Sequence, residues 1–451
     1  MRAVAFSGVP SRGRPSAGVF AGAGLLAVLG AGIGVGLGTN PISAPLLVAA
    51  GVGLVGVALL AVVRYELAFA LAVFLLPIVR KEPAPVDGVL AVIIAVSAVT
   101  GRLRLDRVPL SMAALSGLFI ALYAISAMDA IDVPRAISWL SVTIYLVVFA
   151  AWVCCFVDRE RRARRLVKLY IFVSVLWAIV GSAALFVSFP GSADMLFAGE
   201  RVQGLFKDPN VYGPFLVPAA LFLAHECLSP RLLRMNLLTK IICFLIVCMG
   251  ILFSYSRAAW LNLVVGILVM TVVFGLRRGG GRRALGLLLV IVAALGALGW
   301  TIAVSHSLTF FEERARFQSY DTQRFGAQRL GLELAQSHPL GIGPGQFEVY
   351  SAVSAHSTYV RSLAEQGILG AAVLFALLFG TLLLAGRNAV LGRDTYGIGS
   401  TALLAAWCGM LANSVVVDTI HWRHLWLLAG LIWAGTVSDQ VSSRAGARAV
   451  M

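Results

Sequence analysis

Apolar runs of about twenty residues follow one another along this chain, and that succession limits the possible folds more than any other feature. A run of that length crosses a hydrocarbon core of ~30 Å as a helix. In lipid no water satisfies backbone N–H and C=O groups, so each run must satisfy them internally by forming a helix. The runs lie near 18–38, 45–63, 65–79, 88–100, 108–128, 136–157, 166–189, 211–228, 240–256, 258–276, 284–304, 362–386, 397–417 and 424–438. Those at 65–79 and 88–100 are short enough to be tilted, re-entrant or paired, so about 12–14 transmembrane helices are expected. Composition agrees, with 59% hydrophobic and 13% charged residues, where a soluble domain has about half and a quarter. The expectation is an all-α polytopic membrane bundle forming a single domain over 1–451, with outer loops at 190–210 and 305–361.

The net charge of +15 does not point to nucleic acid, because most basic residues sit in short clusters between spans, such as Arg159 to Lys168 and Arg277 to Arg283. That is the positive-inside pattern of membrane proteins. Arg2, Arg12 and Arg14 precede the run at Gly18 to Gly38, which exceeds a signal-peptide core of roughly 7–15 residues and reads as a retained first span. With the N-terminus inside, 24 of the 36 Lys and Arg residues fall inside and 12 outside, against 7 and 14 of the 21 Asp and Glu residues. The reverse orientation would invert the rule. Both termini are therefore expected in the cytoplasm, and both long polar segments on the outer face, where nucleotide-activated donors are absent. The six cysteines lie in or beside apolar spans without CxxC or Cys/His spacing, and read as small buried hydrophobes.

The outer segments hold the residues that could carry chemistry. Arg201, in the loop from Gly199 to Asn210, offers a planar set of five donors suited to phosphate oxygens; as a plain loop residue it would tether the loop to headgroups. Arg257 stands between two apolar runs with almost no loop around it. It either snorkels to the interface or faces an interior cavity, where ionisable groups are usually functional. Glu312 to Gln336 has helix-compatible amphipathic spacing with Arg314, Arg316, Arg324 and Arg329 among apolar positions. His338-Pro339-Leu340-Gly341-Ile342-Gly343-Pro344-Gly345 is a turn-rich stretch and not a phosphate-binding glycine motif, because the lysine and the strand–helix context are missing.

Ser354 to Tyr359 closes the long polar segment. A helix opened by His356 would put His356, Tyr359, Val360 and Leu363 on one stripe facing the bundle. An imidazole with its ordinary pKa near 6.5 suits proton transfer there; the plain alternative is an interfacial histidine bonded to a loop. His306, His338, His421 and His424 compete on the same face, and His225 lies near the inner face. Asp418 to His424 packs charge and aromatics into one turn, as a pocket wall or as an aromatic belt. No Ser/His/Asp triad, zinc spacing or paired acidic motif stands out.

Taken in order, Arg201-x-x-Gly204 with Pro209-Asn210, Ser256-Arg257-Ala258, Arg324 upstream of the His338 to Gly345 stretch, and Ala355-His356-Ser357-x-Tyr359 with Glu365-x-Gly367-x-x-Gly370 resemble the O-antigen ligase and O-antigen polymerase superfamily over about 195–375. Ser357 stands where that family usually has Asn, and Val360 where it usually has Leu. The resemblance implies metal-independent, inverting glycosyl transfer at the outer face of the bacterial inner membrane, with no cofactor. The implied donor is a glycan on undecaprenyl pyrophosphate, and the implied acceptor a lipid A-core sugar or a growing glycan. It further implies His356 as general base and Arg201 and Arg257 as the pyrophosphate-binding pair. Arg324, Tyr359 and Arg423 are candidate substrate contacts. The rival of another class is a transporter or flippase of lipid-linked glycans, which would show charged or broken helices at the midplane, often in repeated halves. No internal repeat is visible, and acidic residues deep in the spans are essentially absent.

Overall fold

The computed structural model describes residues 44–80, 84–277, 280–304 and 319–449. The first expected span, at 18–38, lies outside the described residues, as do His306, Arg314 and Arg316. Every other expected span is a helix: α1 Ala44–Val63, α2 Tyr65–Leu75, α3 Pro85–Val99, α4 Leu110–Ser126, α5 Val133–Phe156, α6 Glu160–Ala183, α7 Pro209–Leu228, α8 Leu237–Phe253, α9 Arg257–Leu276 and α10 Gly281–Val304. After the long polar segment come α13 Thr358–Val390, α14 Ser400–Val416 and α15 Arg423–Ala449, and inside it lie α11 Ser319–Ser337 and a short turn, α12 Phe347–Tyr350. Among the described residues, six helices are long and apolar enough to cross a membrane, the longest being Thr358–Val390. Among the described residues, one sheet forms, a two-stranded antiparallel ribbon in the 190–210 loop, β1 Leu196–Phe197 against β2 Arg201–Val202. The chain is a polytopic helical membrane protein.

Helix α7 is the most enclosed of the long helices and packs against α6, α8, α9 and α14. It carries Pro214 and Pro218 inside it. Proline removes a backbone donor and normally breaks a helix, but both prolines here are buried among neighbouring helices, the setting in which spanning helices tolerate them. Exposed Val, Leu and Ile residues on α1, α9, α10 and α13 form the apolar perimeter that lipid would solvate. The six cysteines are all free thiols, with Cys154, Cys155 and Cys248 buried.

The long helix α13 is broken near its start. Gly367 has φ 69° and ψ −178°, a conformation outside the helical region. Gly341, in the turn-rich stretch, has φ 91°. The two backbones meet there: the Ile342 N–H donates to Ala364 O (2.9 Å), the Gly343 N–H to Glu365 O (3.1 Å) and the Ile368 N–H to Pro339 O (3.0 Å). A Cβ at Gly367 would lie 2.2 Å from Pro339 O, and one at Gly341 2.4 Å from Glu365 O. Only glycine permits both the left-handed backbone and that approach. The glycine-rich stretch is thus a strap docked into a helix break.

Candidate active site

A cavity of about 220 Å³ opens at one end of the bundle. Its walls come from distant parts of the chain: Val79 after α2, Trp139 of α5, Lys207, Asp208 and Asn210 at the start of α7, Glu348 and His356 of the long polar segment, Arg361 of α13, and Asp418, His421 and Arg423 before and at the start of α15. The 190–210 loop is held down on α2 by the Val79 N–H donating to Leu205 O (3.0 Å) and by Arg80 pairing with Asp194 (3.0 Å).

His356 does not open helix α13. The helix begins at Thr358, with Ser357 as its N-cap, and His356 precedes both with φ 46°. A left-handed non-glycine residue is uncommon and costs of order 1 kcal/mol or more. It therefore needs surroundings that hold it. The neighbouring Ala355 is fully buried in a small core with Ala327, Leu334, Ile342, Phe347 and Ala364, and Gln328 of α11 donates its amide to His356 O (3.4 Å). The helical-stripe expectation is corrected accordingly: a left-handed turn, not a helix face, puts the imidazole against the cavity. The Ser357 hydroxyl accepts from the Val360 N–H at 3.4 Å. Serine is among the residues that cap helices well, and Ser357 serves as the N-cap here.

No described residue hydrogen-bonds to the His356 ring. Burial lowers its pKa to about 4, helped by the positive charges of Arg324 and Arg361 and opposed by Asp208 and Glu348. At neutral pH the ring is therefore uncharged and able to accept a proton. His421 is differently placed: its Nε2 lies 2.9 Å from Thr143 Oγ1, and its ring packs 4.5 Å from Trp139. His424 also lines the cavity and stacks on Trp422 (5.1 Å). His338 is bonded to the Ser337 hydroxyl (3.0 Å) and does not line the cavity.

Of the cationic residues, Lys207, Arg361 and Arg423 line the cavity, and Arg201, Arg257 and Arg324 lie outside its lining. Arg201, on β2, donates through Nε to Ser254 O (3.2 Å) and through Nη2 to Asn210 Oδ1 (3.3 Å); Asn210 lines the cavity. Arg257 starts α9 and pairs with Asp321, and Arg324 lies one turn further along the same helix, α11, close enough to His356 to lower its pKa. Thus α11 ties Arg257 to the His356 turn through Asp321, Arg324 and Gln328. Arg423 lines the cavity and makes a two-pronged contact with Asp87, with Nε 2.7 Å from Oδ1. Tyr359 is placed elsewhere. Its hydroxyl donates to Leu411 O of α14 (3.1 Å) and its ring meets Phe375 of its own helix edge-on at 5.4 Å, so it joins α13 to α14 and does not line the cavity.

Sequence reasoning assigned no role to Arg361, and the structure makes it a centre of the site. It is buried and lies 2.8 Å from Glu365, 2.8 Å from Asp418 and 2.7 Å from the Ser354 hydroxyl, and it also pairs with Glu348. Glu365 in turn accepts from the Tyr123 hydroxyl (2.8 Å) and from the N–H groups of Gly345 (3.0 Å) and Phe347 (3.2 Å). Glu348 also pairs with Arg135 (2.9 Å). Burial pushes the Glu348 carboxyl up, but the hydrogen bond and charge of Arg361 and the charge of Arg135 outweigh it and hold it below the usual range. One signal was available in the chain: Arg361 and Glu365 are spaced i, i+4 at the edge of an apolar span. Among the described residues, no three His, Cys, Asp or Glu side chains are grouped to hold a metal ion.

Residues 242–375 match the family model for O-Antigen ligase. That stretch is similar to the O-antigen ligase family. No curated protein matches the chain. The matched stretch runs from within α8 to the middle of α13 and contains Arg257, Arg324, His356, Arg361 and Glu365. Arg201, Asp208, Asp418 and Arg423 lie outside it on either side, and the fold brings them to the same end of the bundle. The matched stretch supplies the histidine turn, and the flanking helices supply most of the cavity around it.

Proposed function

We propose that this protein is a glycosyltransferase of the O-antigen ligase type, which moves a glycan from undecaprenyl pyrophosphate to an acceptor sugar at the outer face of the bacterial inner membrane. The observation that carries this reading is His356: an uncharged imidazole, held in a left-handed turn within the stretch similar to O-antigen ligase, lining a cavity with Arg361 and Arg423 among its walls. The charge asymmetry of the loops supports the outer-face orientation.

The chemistry follows from the groups present. An acceptor hydroxyl oxygen forms a bond to the anomeric carbon from the side opposite the leaving group, and the bond from that carbon to the pyrophosphate oxygen breaks, inverting the centre. His356 takes the hydroxyl proton as the new bond forms and later releases it to water. Undecaprenyl pyrophosphate leaves with the bonding electron pair. Arg201 and Arg257 bind its oxygens, with Arg257 exchanging Asp321 for the phosphate, and they offset the charge that develops. Arg324 and Arg423 are further anion or glycan contacts. Arg361, saturated by carboxylates, keeps the cavity wall in place.

The test uses purified protein in lipid, supplied with an undecaprenyl-pyrophosphate-linked glycan with and without a lipid A-core acceptor. Transfer to the core supports the ligase assignment. Elongation of the lipid-linked glycan without the core would assign the polymerase activity of the same superfamily. Movement of the glycan across the bilayer with no new glycosidic bond would replace the proposal by a transporter.

A further inference from the structure

The opposite end of α7 carries a second cleft, of about 250 Å³, lined by His225, Arg231, Arg277, Arg283 and Asp394. The first residues of α7 line the His356 cavity and its last residues line this cleft. At ~1.5 Å per residue the two lie on the order of 25 Å apart, at opposite ends of the bundle. The three arginines come from three elements: the loop after α7, the C-cap of α9 and the first turn of α10. Against three guanidinium groups stands one carboxylate, Asp394.

The cleft is built and not merely basic. Buried Glu226 accepts from the N–H groups of Arg231 (3.2 Å), Leu232 (2.9 Å) and Leu233 (3.1 Å), which fixes the loop bearing Arg231. Lys240, also buried, donates to Glu226 O (2.9 Å). Arg277 donates to Ala389 O (2.6 Å), which aims its guanidinium. Asp394 accepts from the Ser400 N–H (2.9 Å) and hydroxyl (3.1 Å) while pairing with Arg231. The buried His225 ring stacks near Phe274 (5.7 Å) and occupies the space left by Gly399, where a Cβ would come within 2.2 Å of it. Beside the cleft, Leu276, Leu285 and Val390 expose 82%, 58% and 84% of their surface. A guanidinium cluster matches phosphate oxygens in geometry and charge. Apolar surface beside such a cluster suits a ligand with a charged head and acyl chains.

We propose that this cleft binds a phosphate group carried by an anionic membrane lipid; free phosphate shares the chemistry and is separated by the test. Purified full-length protein in neutral detergent is titrated with phosphatidylglycerol and with phosphatidylcholine, and bound lipid is counted by native mass spectrometry. Thermal unfolding is followed in parallel with inorganic phosphate. Phosphatidylglycerol should bind about tenfold more tightly than phosphatidylcholine. Arg283→Gln should weaken it about fivefold, the ~1 kcal/mol contributed by one basic residue near an anionic surface. Arg282→Gln, on the neighbouring exposed residue outside the cleft lining, should change nothing. Stabilisation by inorganic phosphate that Arg283→Gln removes, with no lipid preference, supports the site and assigns it to free phosphate. Equal losses in Arg282→Gln and Arg283→Gln would reduce the cleft to diffuse surface charge and overturn the proposal. So would equal binding of both lipids together with no effect of phosphate.

Discussion

The two ends of α7 use the same residue types to opposite effect. At the His356 end, three arginines are closed into pairs: Arg361 with Glu348, Glu365 and Asp418, Arg423 with Asp87, and Arg257 with Asp321. At the His225 end, three arginines face one carboxylate. Closed pairs in a low-dielectric setting hold geometry, because breaking one leaves a buried charge uncompensated. An excess of one sign attracts a counter-ion. On the readings proposed above, the first end positions reacting groups around a transient pyrophosphate, and the second holds a resident anion.

The sharpest way to break this contrast is to remove the base. His356→Ala should lower turnover by ~10²–10⁴-fold, the range for loss of a general base, with unfolding temperature and helix content unchanged. Near-normal turnover would take the chemistry away from that end. Next in size, Arg201→Lys and Arg257→Lys keep charge but lose the bidentate fork and should each cost on the order of 10²-fold in rate. Full activity in both would remove their role on the pyrophosphate.

The helix break offers a structural test. Gly367→Ala places a Cβ 2.2 Å from Pro339 O at a positive φ, so it should destabilise the fold by about 1–3 kcal/mol or more, measured as a lowered unfolding temperature. An unchanged temperature would mean that the strap is not seated in the break.

The smallest effect is in the pH profile. With a folded-state pKa of about 4, His356 is unprotonated over the neutral range. The value of kcat/KM should be level down to about pH 5 and fall about tenfold per unit below about pH 4, as protonation removes the base. Arg324 contributes to the lowering, so Arg324→Gln should raise the pKa and shift the falling limb to higher pH. A limb that stays put would show that burial alone sets the pKa.

The spans were legible because helix formation in lipid is a local demand: each apolar run has to satisfy its own backbone, whatever its neighbours do. Thirteen expected runs became α1–α10 and α13–α15 on that ground alone. The loops sorted into two sets by charge, and the structure puts Lys207, His356, Asp418 and Arg423 at one end and Arg231, Arg277 and Arg283 at the other. That the glycine-rich stretch is turn and not helix could likewise be read along the chain.

Contacts between distant positions could not. Helical periodicity wrongly extended α13 back to His356, because nothing in the local pattern announces a left-handed turn held by a separate small core. Tyr359 looked like a site residue by its place in the motif, but helix geometry turns it toward Leu411 and Phe375. Arg361 looked like the end of a loop, yet its partners come from 348, 365 and 418. The sequence by itself determined which segments form apolar helices and, among the described residues, which polar loops share an end of the bundle, since both depend on composition along the chain. Only the tertiary structure decided which charges neutralise each other and which stay in excess, because that depends on packing between segments as much as 336 residues apart, as in the pair of Asp87 and Arg423.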